Sequence, residues 1–259
     1  MKLLQTQVTA ARLVFKHAVR YEYIEKNPLD LVYYPKIQEE EEETEQREYW
    51  TKEEIIQFLA ISEQQSELRD FVAFRLLLFS GMRRGELCAL TDEDINFEQR
   101  TIKVNKTFAW KKAHIVKIEP PKTKNSIREI SIDQTTLALI KKLITANKNQ
   151  DLQVGARSSR SRLIFYRYKD SEKAPLTPMH FNKKLDILCR EHHFHRITVH
   201  QLRHSHASIL FKAGANVKDV QERLGHADIK TILNIYTHVT DTKREKTADL
   251  FAKHMENQN

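Results

Sequence analysis

The stretch "EEEEETEQRE" at residues 39 to 48 limits the folding of this chain more than any other. It puts seven glutamates and one arginine into ten residues, a local charge of −6. Such a run cannot enter a core, because like charges repel and each carboxylate loses its hydration on burial. The chain is therefore expected to fold as two parts joined by a solvated linker: residues 1–38, the acidic linker 39–48, and residues 49–259. The same run masks how basic the rest is. Net charge is +8, so the other 249 residues carry +14, a charge footprint suited to a polyanionic partner.

Before the linker, Val8, Ala11, Phe15, Ala18 and Val19 recur at three- and four-residue spacing. This predicts an amphipathic helix over 7–22, with Arg12, Lys16 and Arg20 on another face and Leu13 and Val14 widening the apolar side. After the linker, Thr51 is placed to cap a helix with Glu54 in the capping-box position. Residues 67–80 predict a strongly apolar helix, Ser80-Gly81 a break, and a second helix is expected from near Met82. Alternating and β-branched segments at "TIKVNKTFAW", "AHIVKIE" and "SIREISI" predict a small antiparallel sheet between 94 and 132. Helical spacing resumes over 135–146, "NKNQDLQVGARSSRSR" reads as a polar loop, and the chain from Thr177 reads as successive helices ending in a charged tail. The expected fold class is mainly α with a small antiparallel β-sheet, an α+β fold.

Among 259 residues, 40% are apolar and only 5 are Gly and 6 Pro, which suits a helix-rich globular protein. No run approaches the roughly 20 apolar residues of a membrane span. The N-terminus "MKLLQTQVTAARLVF" breaks its hydrophobic run before a signal-peptide core forms. A cytoplasmic location is expected, with no membrane partner. Cys88 and Cys189 lie far apart in apolar, helical contexts, which favours buried reduced thiols over a disulfide.

Four short segments carry chemistry-bearing side chains. In "SGMRRGELCAL", Arg83 and Glu86 stand one helical turn apart, so the carboxylate can hold the guanidinium while its planar fork meets phosphate oxygens. An ordinary i,i+3 ion pair is the bland alternative. In "EPPKTKNSIREI", Lys122 and Lys124 fall in a turn between strands, where an ammonium can reach a site and donate a proton. In "TVHQLRHSHASILF", His200 and Arg203 share one helix face near its N-terminus. His200 and His204 also have zinc-helix spacing, but Gln201 stands where that motif needs a glutamate base, and no metal is assigned. In "LGHADIKTILNIYTHVT", His226 precedes Tyr236 by ten residues.

The succession of these segments resembles the catalytic domain of the tyrosine recombinases, the phage-integrase family, over roughly residues 50 to 245. The resemblance implies that Arg83 is the first catalytic arginine and Glu86 its supporting acid. It implies that His200 and Arg203 form the His-x-x-Arg pair, that His226 is the second histidine, and that Tyr236 is the nucleophile. The Lys-Thr of the family's hairpin falls on Lys122, with Lys124 two residues away as the alternative; Arg84 and Lys124 are expected to touch DNA. Ser131 stands where the family often has proline.

The implied activity is cleavage and rejoining of double-stranded DNA through a 3′-phosphotyrosine link, integrating or excising a phage or other mobile element without metal, ATP or other cofactor. A Xer-type resolvase and a DNA-binding module without full recombinase activity are the alternatives, while a type IB topoisomerase fits less well. Residues 1–38 look like the closing part of a helical core-binding domain whose earlier helices are missing, so the chain is expected to be truncated. The tail beyond Tyr236 has Ala248, Leu250, Phe251 and Met255 as an apolar stripe; packing against its own domain is the bland alternative, and the resemblance implies docking on a neighbouring protomer in a homotetramer on attachment-site DNA. Accessory DNA-bending or excisionase proteins are further partners that the resemblance suggests.

Overall fold

The structure, a computed structural model, describes residues 2–31, 49–110, 116–121, 126–155, 162–169 and 172–225. The chain divides into two compact units, Met1–Gln46 and Arg47–Asn259. The acidic run falls outside the described residues. Among the described residues, no helix is long and apolar enough to cross a membrane.

In the first unit, helix α1 (Lys2–Arg20) begins five residues before the predicted stretch and ends close to it. Val8, Ala11, Phe15, Ala18 and Val19 are half-buried in it. Leu13 and Val14 are 66% and 67% exposed, so the apolar side is narrower than the sequence suggests. A 3-10 turn (Pro28–Leu31) lies against α1, where Arg12 Nη2 donates to Leu29 O at 3.2 Å. Asn27 Oδ1 starts that turn by accepting from Leu29 N at 3.0 Å.

The second unit is organised by Trp50, fully buried beside the start of helix α2 (Lys52–Gln65). Its backbone N–H donates to Ser205 Oγ at 2.9 Å and its Nε1–H to His195 O at 2.7 Å. The ring packs 4.7 Å from Phe58 and 5.7 Å from Phe194. A large aromatic with its polar atom satisfied fixes where the chain enters this unit. The expected capping box follows: Thr51 Oγ1 accepts from Glu54 N, and Glu54 accepts from Thr51 N.

Helix α3 (Leu68–Ser80) is the centre of the unit. Its sequence is apolar nearly all round, and Phe71, Val72, Ala73, Phe74, Leu76, Leu77 and Leu78 are all buried. Such a helix has to be covered on several sides. It is covered by α2, by α5 (Gln134–Gln153) and by α7 (Val199–Lys212). Even its buried acid is partnered, with Asp70 Oδ1 2.7 Å from His180 Nε2 on α6 (Pro178–Glu191).

Helix α4 (Arg84–Cys88) starts two residues later than expected, because Arg83 is extended and serves as its N-cap. The single predicted sheet is two. Strands β1 (Ile95–Asn96), β2 (Thr101–Val104) and β5 (Arg128–Ser131) form an antiparallel sheet in the order β1-β2-β5, with Ile102 opposite Ile130. Strands β3 (Thr107–Trp110) and β4 (Val116–Glu119) form a separate antiparallel pair.

The segment predicted as a loop from Asn147 onward is instead helical as far as Gln153. Its polar residues are there to bind a hairpin that the sequence did not announce, β6 (Tyr166–Lys169) with β7 (Glu172–Pro175). Asn147 Nδ2 donates to Ile164 O, while Asp151 accepts from Tyr166 OH, Tyr168 OH and Lys173 Nζ. Helix α8 (Val217–Leu224) follows α7. Cys88 and Cys189 are free and buried, as expected, and desolvation pushes their thiols up to about 12 and about 11.

Candidate active site

Three helix ends converge on the predicted residues. Helix α3 terminates at Gly81, whose φ of 67° is left-handed. A Cβ there would stand 2.6 Å from His206 Cδ2 and 2.6 Å from Leu224 Cδ2. Both the backbone conformation and the space therefore require glycine. Two residues on, Arg83 N donates to Glu86 Oε2 at 2.8 Å and Arg83 Nη1 to Glu86 Oε1 at 2.8 Å. The ion pair expected from spacing is thus also the helix cap that fixes the start of α4.

From the other side, α7 opens at the N-cap Thr198, with Gln201 reaching back to accept from Thr198 N. This capping role is a physical reason for Gln201 beside the two histidines. His200 lies in the first turn, exposed, its ring 5.3 Å from that of His204. Arg203 sits one turn further in and is only 2% exposed. Its Nη1 donates to Gly81 O at 2.7 Å and its Nη2 to Leu224 O at 2.6 Å.

Helix α8 supplies the common anchor. It ends at Gly225, φ 62°, and its last carbonyls lack intrahelical partners. Three successive ones are taken by arginines: Arg223 O by Arg128 Nε at 2.8 Å, Leu224 O by Arg203 Nη2, and Gly225 O by Arg83 Nη2 at 2.9 Å. Guanidiniums suit this place, since the C-terminus of a helix carries partial negative charge. Arg128 also binds both oxygens of Glu86, through Nη2 at 2.9 Å and Nη1 at 3.1 Å.

A second layer supports the first. His206 Nδ1 lies 2.8 Å from Leu78 O, and Arg223 Nε donates to His206 Nε2 at 3.0 Å. Leu78 O can only accept, so Nδ1 carries the proton and Nε2 offers its lone pair. Arg223 Nη2 also reaches Phe79 O and Ser131 O, and its Nη1 lies 3.3 Å from Ser131 Oγ.

The charges follow from this packing. Burial works against ionised Glu86, but hydrogen bonds and charge from Arg128, then from Arg83, outweigh it and hold the carboxyl below its usual range. Desolvation, and then the positive charges of His204, Arg203, Arg84 and Arg83, bring His200 down to about 4. His200 is exposed by surface area yet surrounded by cations, so it is neutral at neutral pH. Burial and Arg83 also oppose the charge of Arg203, with Glu86 in its favour. A guanidinium nonetheless stays protonated, and the cluster therefore holds a positive field.

Residues 48–243 match the model of the phage integrase family. This chain belongs to that family. It is 31% identical over 243 residues to the ICEBs1 integrase of Bacillus subtilis (strain 168), spanning 93% of this chain and 63% of that integrase. It is 30% identical over 262 residues to a XerC-like tyrosine recombinase of Caldanaerobacter subterraneus subsp. tengcongensis, spanning 92% and 63%. The chain thus spans somewhat less than two thirds of the length of these relatives. The Tn1549 transposon integrase, solved in complex with transposon right end DNA, shares the fold at a TM-score of 0.76 and 23% identity, over 95% of this chain and 79% of that one.

In this integrase-family chain, folding brings Arg83, Glu86, His200 and Arg203 together, with Arg84 exposed at their edge. Lys122, Lys124, His226 and Tyr236 lie outside the described residues, as does the tail after Tyr236. Sequence reasoning missed Arg128, His206 and Arg223. A signal for Arg128 exists: it stands two residues before buried Ile130 in a strand, on the same face, which puts a guanidinium inside.

Proposed function

We propose that the chain is the catalytic part of a site-specific DNA recombinase that cleaves and rejoins strands through Tyr236. The observation that carries this reading is the meeting of Arg83 and Arg203, from segments far apart in sequence, on the carbonyl end of α8, with Glu86 bracing Arg83 and His200 one turn before Arg203 on the same helix. Family membership supports it.

In the proposed reaction, the Tyr236 oxygen attacks a DNA phosphorus, forming a P–O bond to tyrosine while the bond to the 5′-oxygen breaks. The phenol has an ordinary pKa of about 10 and needs a proton acceptor at neutral pH. His200 is assigned to accept that proton. Charge growing on the non-bridging oxygens is stabilised by Arg83 and Arg203, while His226 adds a hydrogen bond to the phosphate. Lys122, or Lys124 in its place, protonates the departing 5′-oxygen. The phosphotyrosine bond conserves the energy of the cleaved linkage, and attack by a 5′-hydroxyl reverses the step with a new partner strand.

The basic excess outside the acidic run suits attachment-site DNA, with Arg84 and Lys124 on its backbone. Residues 1–38 are assigned to a core-binding domain, 39–48 to a linker and 49–259 to the catalytic domain, the whole acting in the cytoplasm. A homotetramer on DNA, joined through tails and helped by accessory DNA-bending proteins, completes the proposal. An apolar groove of about 480 Å³ lined by Ile55, Ile56, Phe79, Ile209 and Leu210 offers a surface for such a tail.

The test is a duplex selected by the chain from a random-sequence pool, nicked so that the cleaved end is lost. A covalent protein–DNA adduct is expected with wild type and not with Tyr236→Phe. A wild type that binds its selected duplex without forming an adduct is a DNA-binding module, and the proposal fails.

A further inference from the structure

Arg128 holds a position that the assigned roles leave unexplained. Its side chain is 6% exposed and Glu86 is 3% exposed. Four of its hydrogen bonds are accounted for: two to Glu86, one to Arg223 O and one to Ser126 O at 3.1 Å. A guanidinium so enclosed is not free to grip a phosphate, and its bonds instead lead outward to groups that do.

Each bond has a geometric consequence. The pair to Glu86 is bidentate, which fixes the plane of the carboxylate. Arg83 leans on that same carboxylate through its backbone N–H and Nη1. The bond to Arg223 O is the first of the three that hold the end of α8, next to the carbonyls that orient Arg203 and Arg83. Ser126 O and Arg128 itself belong to the segment that follows Lys122 and Lys124 in sequence. Removing Arg128 would leave Glu86 with the partner it is meant to aim, but without the partner that aims it.

We propose that Arg128 is a positioning residue for strand cleavage. Acting through Glu86 and the C-terminal carbonyls of α8, it sets the direction of the Arg83 guanidinium and ties strand β5 to the phosphate site. This inference rests on the recombinase reading above. Lysine cannot replace Arg128, because an ammonium gives a point charge where two parallel N–H bonds are needed.

The experiment measures single-turnover adduct formation on the selected, nicked duplex at saturating DNA, for wild type, Arg128→Lys, Glu86→Gln and the double variant. Circular dichroism and melting confirm that each is folded. Misplacement of about 1 Å in a catalytic group lowers rates roughly 100-fold, so Arg128→Lys is expected to slow cleavage about 10- to 100-fold. Its Kd for the duplex should change by less than about 3-fold, since the residue does not face solvent. Because both residues act in one chain of contacts, the double variant should be no more than about 3-fold slower than the slower single one.

Arg128→Ala with millimolar guanidinium should regain part of the rate, which a general loss of stability would not allow. Should Arg128→Ala fail to fold, Arg128→Lys and the double variant decide alone. Wild-type cleavage by Arg128→Lys, or losses that multiply in the double variant, would overturn the inference. A wild type that forms no adduct overturns the recombinase reading instead.

Discussion

His206 makes the stability of this site sensitive to acid, in a way the structure allows to be sized. Its ring is 7% exposed, donates from Nδ1 to Leu78 O and accepts at Nε2 from Arg223. Protonation would place a hydrogen on Nε2 facing the Arg223 N–H 3.0 Å away. Desolvation first, and then the charges of Arg223 and Arg203, bring its pKa from 6.5 to about 4, although the bond to Leu78 opposes the shift. Between those two pH values the unfolded chain binds more protons than the folded one, so stability rises with pH. The contribution is complete above the unfolded pKa and is lost as pH falls toward the folded one.

In full, the gap is worth about 3 kcal/mol, and about 2 kcal/mol of it is lost between about pH 7.5 and about pH 5. Glu86, Asp133 and Asp151 are all held below their ordinary values, so their contributions survive to lower pH. Urea unfolding of wild type and His206→Asn across this range isolates the effect. Asparagine keeps a donor near Nδ1 and does not titrate, while His200 is common to both proteins and cancels. The wild-type curve should fall about 2 kcal/mol further than that of the variant. Parallel curves would show that His206 is not held neutral by Arg223 and burial, and the reasoning would be refuted.

Gly81→Ala combines left-handed backbone strain with a Cβ 2.6 Å from His206 and Leu224; a loss of about 2–4 kcal/mol in urea unfolding is expected, with slower adduct formation. Trp50→Ala empties the fully buried anchor beside α2 and should cost about 3–5 kcal/mol in the same assay. Arg84→Ala, at an exposed position, should leave the melting temperature unchanged while lowering the slope of log Kd against log salt by about 1, as expected for one lost phosphate contact. Cys88 and Cys189, buried with raised pKa values, should resist an aromatic disulfide reagent at about pH 8 in the native chain and both react in urea.

What could be read from the sequence was local. The Thr51–Glu54 cap, the Arg83–Glu86 pair and the His200–Arg203 face all depend on three-residue spacings, and the structure contains each one. The apolar character of α3 likewise announced a buried helix. What escaped depends on contacts between distant segments. Arg128 gains its meaning from Glu86, 42 residues away, and Arg223 from Phe79, 144 residues away. The last turns of α5 looked like loop because Asn147 and Asp151 are polar, yet that polarity serves the β6–β7 hairpin. Ser131 is a related case: as a departure from the family's proline it suggested nothing chemical, whereas the structure puts its carbonyl and hydroxyl beside Arg223.

The use of helix carbonyls rather than acids to orient the arginines has an electrostatic reason. A carboxylate on every guanidinium would fix geometry equally well but would cancel the field, and at an effective dielectric of about 20 each pair 4 Å apart is worth about 4 kcal/mol. Carbonyls at the end of α8 and of α3 direct Arg83, Arg128, Arg203 and Arg223 as dipoles while leaving the net charge in place. Glu86 is a carboxylate bonded to two of these arginines, Arg83 and Arg128, which share it. On the recombinase reading proposed above, the positive balance left over is what a phosphodiester would neutralise as its charge grows at a five-coordinate phosphorus. Substituting a second acid near the end of α8 should therefore stabilise the free protein while weakening cleavage, because it would satisfy the arginines before DNA arrives.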